Sequence, residues 1–517
     1  MRILLLNSNY TVILILYVFA GSVSSQAQES ILDNRWYKFQ TPHFTLISEA
    51  SARQTRRYAE DLEIWRQLSA QIISGVDSYP PANVSNQVFL FDDAESLEHF
   101  LTGQEKAIFL ATPRANFMAS LRRDDLSMRV ALHHYAHFLL RNFNDLRLPR
   151  WYEEGMVGYL SRMQIRGRGA EFERESAESY KLLLTLSESL VMERLLYQDE
   201  ALASPRLIQI ANLKSETLMH YLRHGYEDDW PDRRQQLRRY VELILEGRTT
   251  RYAFDQAFDL SAVELDAEFH AYLAESSRPA GTLSWQAALP EIPEEIESLE
   301  RNQLAVLLGD LALNAGRIEN AEMFFALASG DAVAPARAFS GLGDSLRFQD
   351  DTGRDQEIAN YFEQALALAP NDPAIVLDYG EYWEAELGDC NKSYPQSERA
   401  VIIERTKKAF RHALELAPDM AEAHLAMAQV YLFPEEQWSE GMEYQRRAYE
   451  LLPADSFIME QTARYAIAAG DFSKAEALIN ELAQPLHSFG IPDYVNVLRQ
   501  RLQSRKNNEE YQPCGNH

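Results

Sequence analysis

The 517-residue chain contains little cysteine, carries no excess of positive charge and has hardly any long apolar runs. Its two cysteines, Cys390 and Cys514, are too few for a disulfide scaffold, an iron-sulfur cluster or a zinc site made of thiolates. Any bound metal would therefore need histidine and carboxylate ligands. With 77 acidic against 50 basic side chains the formal net charge is -27, which argues against a general affinity for nucleic acid or anionic lipid.

The N-terminus has the features of an export signal. Arg2 supplies a positive start, Val12 to Ala20 is an almost continuous apolar run, and Ser25-Gln26-Ala27 offers small residues for cleavage near Ala27. The run is short for a bilayer span and no other run reaches that length, so a membrane anchor is the alternative only if cleavage fails. With residues 1–27 as the signal peptide, we expect a periplasmic or secreted protein without an integral membrane segment, in which the two cysteines could pair.

Local patterns divide the rest of the chain into two halves. Short β-rich runs alternate with longer helical stretches such as Ala52 to Ile73, which predicts an α+β domain over 31–275. The predicted strands are Phe44 to Ile47, Gln87 to Phe91 and Ile108 to Ala111. Helical periodicity lapses over 276–300, predicted as a linker, where four residues disfavour helix: Pro279, Gly281, Pro290 and Pro293.

The second half repeats itself at a spacing near 34 residues, from Asn302 to about Leu482. Small residues at fixed positions would let two helices cross closely, and a large apolar residue would fill the gap to the next pair. Three nearly identical segments close successive units: Ala-Leu-Ala-Leu-Ala-Pro, Ala-Leu-Glu-Leu-Ala-Pro and Ala-Tyr-Glu-Leu-Leu-Pro. In the first unit the repeated positions are Leu308-Gly309, Gly316, Ala321, Phe325 and Ala328.

This pattern resembles tetratricopeptide repeats, in which each unit is a helix-turn-helix. The resemblance implies an all-α solenoid of about five repeats over 301–505, with a capping helix through Tyr494 to Leu502 and a tail over 506–517. Such solenoids usually present a concave surface, so we expect a protein or peptide partner. The alternative is that the repeats only brace the first half of the chain.

Two adjacent helical segments of the first half carry the most informative residues. No Gly or Pro interrupts Met128 to Asn142, which predicts one helix with His133 and His137 four residues apart on the same face. Two imidazoles at this spacing suit zinc. Glu154 on the next helix could supply a third ligand and leave the fourth position open. The sequence therefore predicts a zinc site at these three residues.

The two segments resemble the gluzincin (HExxH-type) zinc metallopeptidases of the peptidase-MA-like group. In that family the first helix reads His-Glu-x-x-His, and in many bacterial members the second reads Pro-x-Trp-x-x-Glu-Gly-x-x-x-Tyr-Leu. The second motif is matched by Pro149, Trp151, Glu154, Gly155, Tyr159 and Leu160. Weaker similarity continues over Ser215 to Leu222 and Phe254 to Tyr272. The resemblance implies an α+β gluzincin-like fold, with a small sheet and active-site helices.

One residue departs from the family pattern, because His134 stands where the family has its catalytic glutamate. That glutamate serves as general base and then as general acid, a contribution worth roughly 10²–10⁴ in rate. Glu153 is a poor substitute, because it faces about 100° away from Glu154 on a helix. The resemblance therefore implies a pseudoenzyme that acts by protein or peptide binding, with zinc as its cofactor where the ligands retain it.

Several alternatives stay open on the residues alone. The protein could be a working zinc peptidase whose base is His134 or a residue elsewhere, with the repeats presenting its substrate. The ligand pair could instead be His134 with His137, or the helix could have lost its metal, leaving a structural scaffold. Trp151, Tyr159 and Tyr135 are expected to be packing residues.

Overall fold

The computed structural model describes residues 30–74, 84–103, 105–143, 148–167, 169–172, 177–186, 190–197, 204–275, 281–284, 291–330, 333–349, 353–389, 392–432, 437–483 and 491–509. The predicted export signal, its cleavage site and both cysteines lie outside the described residues. Within these ranges, no helix combines the length and the apolar character that a membrane crossing requires.

The strands include the three predicted runs, at β2, β3 and β4, together with others that the sequence patterns did not single out. In chain order they are β1 (Tyr37–Gln40), β2 (Thr45–Ser48), β3 (Ser85–Phe91), β4 (Ile108–Ala111), β5 (Ala115–Leu121), β6 (Met163–Arg166), β7 (Gly169–Phe172), β8 (Thr282–Ser284) and β9 (Glu297–Ser298).

Helices make up most of the described chain. Those before the repeats are α1 (Ala52–Ser74), α2 (Ala94–Glu98), α3 (Asp125–Phe143), α4 (Arg150–Ser161), α5 (Ala177–Leu186), α6 (Met192–Tyr197), α7 (Pro205–His224), α8 (Arg234–Leu245), α9 (Thr250–Ala257) and α10 (Ala262–Ala274). Those of the second half are α11 (Arg301–Asn314), α12 (Ile318–Ser329), α13 (Ala336–Arg347), α14 (Asp355–Leu368), α15 (Pro373–Gly388), α16 (Gln396–Leu416), α17 (Ala421–Val430), α18 (Trp438–Leu451), α19 (Ser456–Ala469), α20 (Phe472–Leu482) and α21 (Asp493–Lys506).

The chain divides into two compact units, and each combines segments that are far apart in the sequence. The described residues of the first unit fall within 1–59, 84–128 and 292–444, and those of the second within 60–83, 129–291 and 445–517. The sequence-based division into a domain over 31–275, a linker over 276–300 and repeats over 301–505 stays a prediction.

The first unit contains a six-stranded sheet in the order β4-β5-β3-β2-β1-β9. The neighbours β2, β3 and β5 are parallel, whereas β1–β2, β4–β5 and β1–β9 are antiparallel. This sheet shares an apolar core with the first helix pairs of the repeats. The rings of Phe100 and Phe324 stack with centroids 5.9 Å apart, and the Asn320 side chain donates to the backbone carbonyl of His99 at 2.7 Å. The sheet and the early repeats are therefore packed as one body.

The helix pairs of the first unit pack through the small and large residues that the repeat pattern predicted. A Cβ added to Gly309 would lie 2.7 Å from the Phe325 ring, and one added to Gly343 would lie 2.7 Å from the Phe362 ring. Only glycine therefore lets the paired helices approach this closely. The turn within the first pair uses Gly316 at φ +70°, a backbone conformation that glycine adopts readily. The predicted helical-repeat architecture is confirmed.

The second unit holds the two helices that carry the candidate site. Helix α4 packs tightly on α7, because a Cβ on Gly155 would lie 2.7 Å from the carbonyl oxygen of Ser215. From α1, the Trp65 indole N–H donates to the carbonyl of Leu160 at 3.0 Å. The same unit contains the antiparallel sheet β6-β7-β8 and a separate core formed by α19, α20 and α21. Helix α21 covers the segment predicted as a capping helix, whereas its capping role stays a prediction.

Candidate metal centre

Helix α3 places both predicted histidine ligands on one face. The residues between and around them are buried on the other side of the helix, including Tyr135, Ala136 and Leu139. The helix begins with an acidic residue, Asp125, and has a basic residue, Arg141, in its last turn. Both charges interact favourably with the helix dipole. Packing of the apolar face thus fixes which way the histidines point.

The structure brings His133 and His137 together with Glu154 of α4. Their candidate ligand atoms all lie within 4.8 Å of one another. The His133 Nε2 is 3.7 Å from Glu154 Oε2, and the His137 Nε2 is 3.9 Å from Glu154 Oε1. Two ligand atoms bound at about 2.1 Å to a tetrahedral zinc lie roughly 3.4 Å apart. The three side chains therefore have close to the spacing that a zinc ion requires.

The carboxylate of Glu154 is buried in an environment that suits a cation. Its side chain has no solvent exposure, and neither oxygen accepts a hydrogen bond from any residue within the described ranges. Burial raises the pKa of Glu154, although His137 and Arg150 oppose this shift. A buried carboxylate without hydrogen bonds is unfavourable unless a positive partner is present. The donor set and the environment of Glu154 both fit a zinc ion.

Glu153 is a functional candidate that sequence reasoning missed. Its Oε1 lies 2.7 Å from His137 Nδ1, and Arg141 donates to both of its oxygens at 2.6 and 2.9 Å. Burial is the largest single effect and raises the pKa of Glu153, but His137 and Arg141 together outweigh it and lower this pKa to about 2. Because an ionised carboxylate can only accept hydrogen bonds, His137 must donate one from its Nδ1. In the neutral imidazole the lone pair is then on Nε2, the nitrogen that faces Glu154, where it is available to a metal ion.

The signal that could have identified Glu153 is the recurrent pairing of a metal-bound histidine with a carboxylate. Arg141 also lies four residues after His137, on the same face of α3, where it can reach the same carboxylate. Glu153 does not join Glu154 among the converging ligand atoms. Its carboxylate instead reaches Nδ1 of His137, the ring nitrogen on the side away from Glu154.

His134 lies beside the converging residues without joining them. The group whose ligand atoms meet contains His133 and not His134, and the rings of these neighbours are 5.5 Å apart at 84°. Burial, assisted by the proximity of His137, lowers the pKa of His134 to about 4. At neutral pH its imidazole is therefore uncharged, and it cannot supply the negative charge of a glutamate.

The aromatic residues near the site are buried, as expected for packing residues. The Trp151 indole N–H donates to the hydroxyl of Tyr240 at 3.0 Å, and the hydroxyl of Tyr159 lies 2.8 Å from His224 Nε2. Tyr135 is fully buried. These contacts join α4 to α7 and α8, and they thereby fix the position of the helix that carries Glu154.

No family model matches the chain. Over 82 residues, 15% of its length, the chain is 34% identical to the protein adenylyltransferase Fic of Drosophila erecta, and it spans 14% of that relative.

Two solved structures are similar in part. A thermophilic TPR protein of Thermus thermophilus has 17% identity and a TM-score of 0.33, with 40% of this chain and 99% of that chain covered. The human IFIT1 dimer with PPP-AAAA has 14% identity and a TM-score of 0.27, with 65% of this chain and 78% of that chain covered. At these TM-scores neither likeness identifies the fold or a partner of this protein.

Proposed function

We propose that this protein is a zinc-binding pseudopeptidase of gluzincin-like α+β fold whose helical repeats bind a protein or peptide. The observation that carries the proposal is the convergence of His133, His137 and Glu154 next to a helix position that holds His134. A zinc ion held by these three residues would polarise a carbonyl or carboxylate oxygen of a bound chain.

The surrounding residues support binding better than hydrolysis. Glu153 orients His137 through Nδ1, and the α4–α7 packing at Gly155 fixes Glu154. No carboxylate occupies position 134, and the neutral imidazole there offers neither the charge nor the reach of the glutamate. A chain that entered the site would be held by its carbonyl or carboxylate while the usual proton transfer was missing.

The repeats supply the second binding element. Stacked helix pairs form an extended surface that can bind an unfolded or extended protein segment without catalysing a reaction. We place this activity in the periplasm or outside the cell, on the strength of the N-terminal residues.

The test combines metal analysis with hydrolysis. The purified mature chain is expected to hold about one zinc per molecule and to leave carboxymethylated α-lactalbumin, an unstructured protein, uncut while binding it. His133→Ala should lose the zinc, whereas His412→Ala, which removes a partly exposed histidine elsewhere, should retain it. His134→Glu should introduce cleavage, because it restores a general base worth roughly 10²–10⁴ in rate.

The contrary outcomes point to the rival functions. Robust cleavage by the wild-type chain that disappears in His133→Ala would establish an active peptidase with another base. Absence of zinc from the wild-type chain and from every variant would leave a metal-free scaffold. Zinc with neither cleavage nor binding of the unfolded protein would refute the proposed role of the repeats.

A further inference from the structure

The second unit contains a cavity of about 530 Å³. Its described lining comes from the C-terminal end of α1, from α4, from the end of α7 and from α8. The aliphatic part of this lining consists of Ile72, Ile73, Leu237 and Val241. Cavities of several hundred Å³ that combine apolar side chains with a few polar groups are the usual sites for small ligands, and this cavity has both components.

The most informative polar group of the cavity is the hydroxyl of Tyr152. This residue is only 7% exposed, yet its hydroxyl makes no hydrogen bond with any residue in the described part of the chain. The tyrosine hydroxyls of the same region differ, because Tyr159 meets His224 and Tyr240 accepts from Trp151. A buried hydroxyl without a hydrogen bond is unfavourable, so an acceptor on a ligand would stabilise it.

The Tyr152 hydroxyl is a hydrogen-bond donor at neutral pH. Burial raises the pKa of Tyr152 to about 12, although the positive charge of Arg223 opposes this shift. The hydroxyl therefore keeps its proton, and the nearby guanidinium favours a negatively charged acceptor over a neutral one.

The cavity has an excess of positive charge, with three arginines and one glutamate in its described lining. Arg223 and Arg238 form no ion pair with a residue of the described ranges. The other two charged residues already have partners on the protein surface: Arg234 pairs with Asp232 at 2.7 Å, and Glu242 pairs with Arg239 at 3.1 Å. Two guanidinium groups thus remain for an anion, in a chain whose net charge is -27.

The polar groups that face the cavity are mostly donors. The side-chain amide of Gln71, at the end of α1, also makes no hydrogen bond within the described ranges. Together with the tyrosine hydroxyl and two guanidinium groups it forms a donor set that suits the two oxygens of a carboxylate. A peptide segment would bring backbone N–H groups that need acceptors, whereas the aliphatic side chains suit a hydrocarbon tail.

We propose that this cavity binds a free medium-chain aliphatic carboxylate, of which octanoate is the simplest example. Tyr152 and Arg238 would donate to the carboxylate, and Arg223 would supply further positive charge. The tail would lie against the aliphatic side chains of α1 and α8. This inference goes beyond the proposed function, because the described lining does not include the residues that converge at the candidate metal centre.

The test measures binding of octanoate to the full chain at neutral pH by isothermal titration calorimetry. Tyr152→Phe and Arg238→Ala should each weaken binding at least about tenfold, because each removes a hydrogen bond to a charged group. Tyr152→Phe keeps the buried ring, so its urea unfolding should match that of wild type. Arg206→Ala is the charge-matched control, since this exposed arginine lies roughly 25 Å along α7 from Arg223.

Comparison of ligands tests both halves of the cavity. Octan-1-ol should bind at least about tenfold more weakly than octanoate, because it has the tail without the charge. Butyrate should also bind at least about tenfold more weakly, because it buries less hydrocarbon. N-acetyl-glycyl-leucine, which ends in an apolar residue with a free carboxylate, should bind more weakly than octanoate. Tighter binding of this peptide would overturn the assignment to an aliphatic acid.

The outcomes separate this inference from the proposed function. Octanoate should bind equally with and without a zinc chelator, and binding that a chelator abolishes in a chain still folded by circular dichroism would place the carboxylate at the metal centre and overturn the proposal. Absence of saturable binding, or equal affinity of wild type and Arg238→Ala, would refute it, as would an equal loss in Arg206→Ala. If Tyr152→Phe does not fold, Arg238→Ala decides, because its side chain is exposed.

Discussion

Replacing Glu153 by glutamine removes the negative charge between His137 and Arg141. A lowering of the Glu153 pKa from 4.5 to about 2 corresponds to about 3 kcal/mol in favour of the ionised side chain. Because the pKa is lower in the folded state, this stabilisation is present above the unfolded pKa near 4.5 and is lost as pH falls through about 2. At neutral pH, Glu153→Gln should therefore cost up to about 3 kcal/mol of stability.

The same substitution should weaken zinc binding, because the amide no longer strengthens the donor character of His137 through Nδ1. Loss of a carboxylate partner behind a histidine ligand typically lowers metal affinity about 10- to 100-fold. The affinity is measured by competition with a chromogenic chelator at neutral pH, and the stability by urea unfolding. Glu153→Asp, which keeps the charge on a shorter side chain, should recover part of the zinc affinity.

The control is Glu242→Gln, which alters an exposed glutamate on α8 that pairs with Arg239 and should leave both measurements unchanged. A Glu153→Gln variant that loses stability but binds zinc as tightly as wild type would refute the positioning role of Glu153. Unchanged stability would refute the ion-pair argument.

Two further predictions concern packing and pH. Gly155→Ala should lower the free energy of unfolding in urea by about 1–3 kcal/mol, because the added Cβ would lie 2.7 Å from the carbonyl oxygen of Ser215. Gly330→Ala is the control, because a Cβ there would make only ordinary van der Waals contacts. Equal effects of the two substitutions would contradict the tight α4–α7 contact. Arg114 and Arg337 lower the pKa of Asp378 from 3.8 to about 2 against burial, so its stabilisation is present above about pH 4 and lost as pH falls through 2. The stability deficit of Asp378→Asn should therefore shrink by about 2 kcal/mol between pH 5 and pH 2, and a constant deficit would refute this assignment.

The ligand residues of the candidate site were predictable because their relation is local. His133 and His137 lie four residues apart on one helix, so the helical period alone places them on one face. Glu154 followed from its position in a second motif on the next helix. The partner of His137 was not predictable in the same way, because the contact with Glu153 depends on how α3 and α4 pack and on the length of the side chains.

In the fold, too, elements that depend on local patterns were predictable and those that depend on distant contacts were not. The helix pairs of the repeats follow from small and large residues at fixed spacing, such as Gly343 and Phe362, and the predicted strands β2, β3 and β4 follow from short apolar runs. Strand β9 has only two residues and forms by pairing with β1, more than 250 residues earlier in the chain. No local pattern can specify a strand whose formation depends on a partner so distant.

The sequence by itself determined the repeat architecture and the residues available as metal ligands, because both depend on spacing within one or two helices. It also determined the absence of a carboxylate at position 134. Only the tertiary structure decided that Glu153 supports His137, and that Arg114 meets Asp378 across 264 residues of chain. The physical reason is that ion pairs and buried carboxylates depend on which surfaces the packed core brings together, and periodicity carries no information about charged contacts between distant segments.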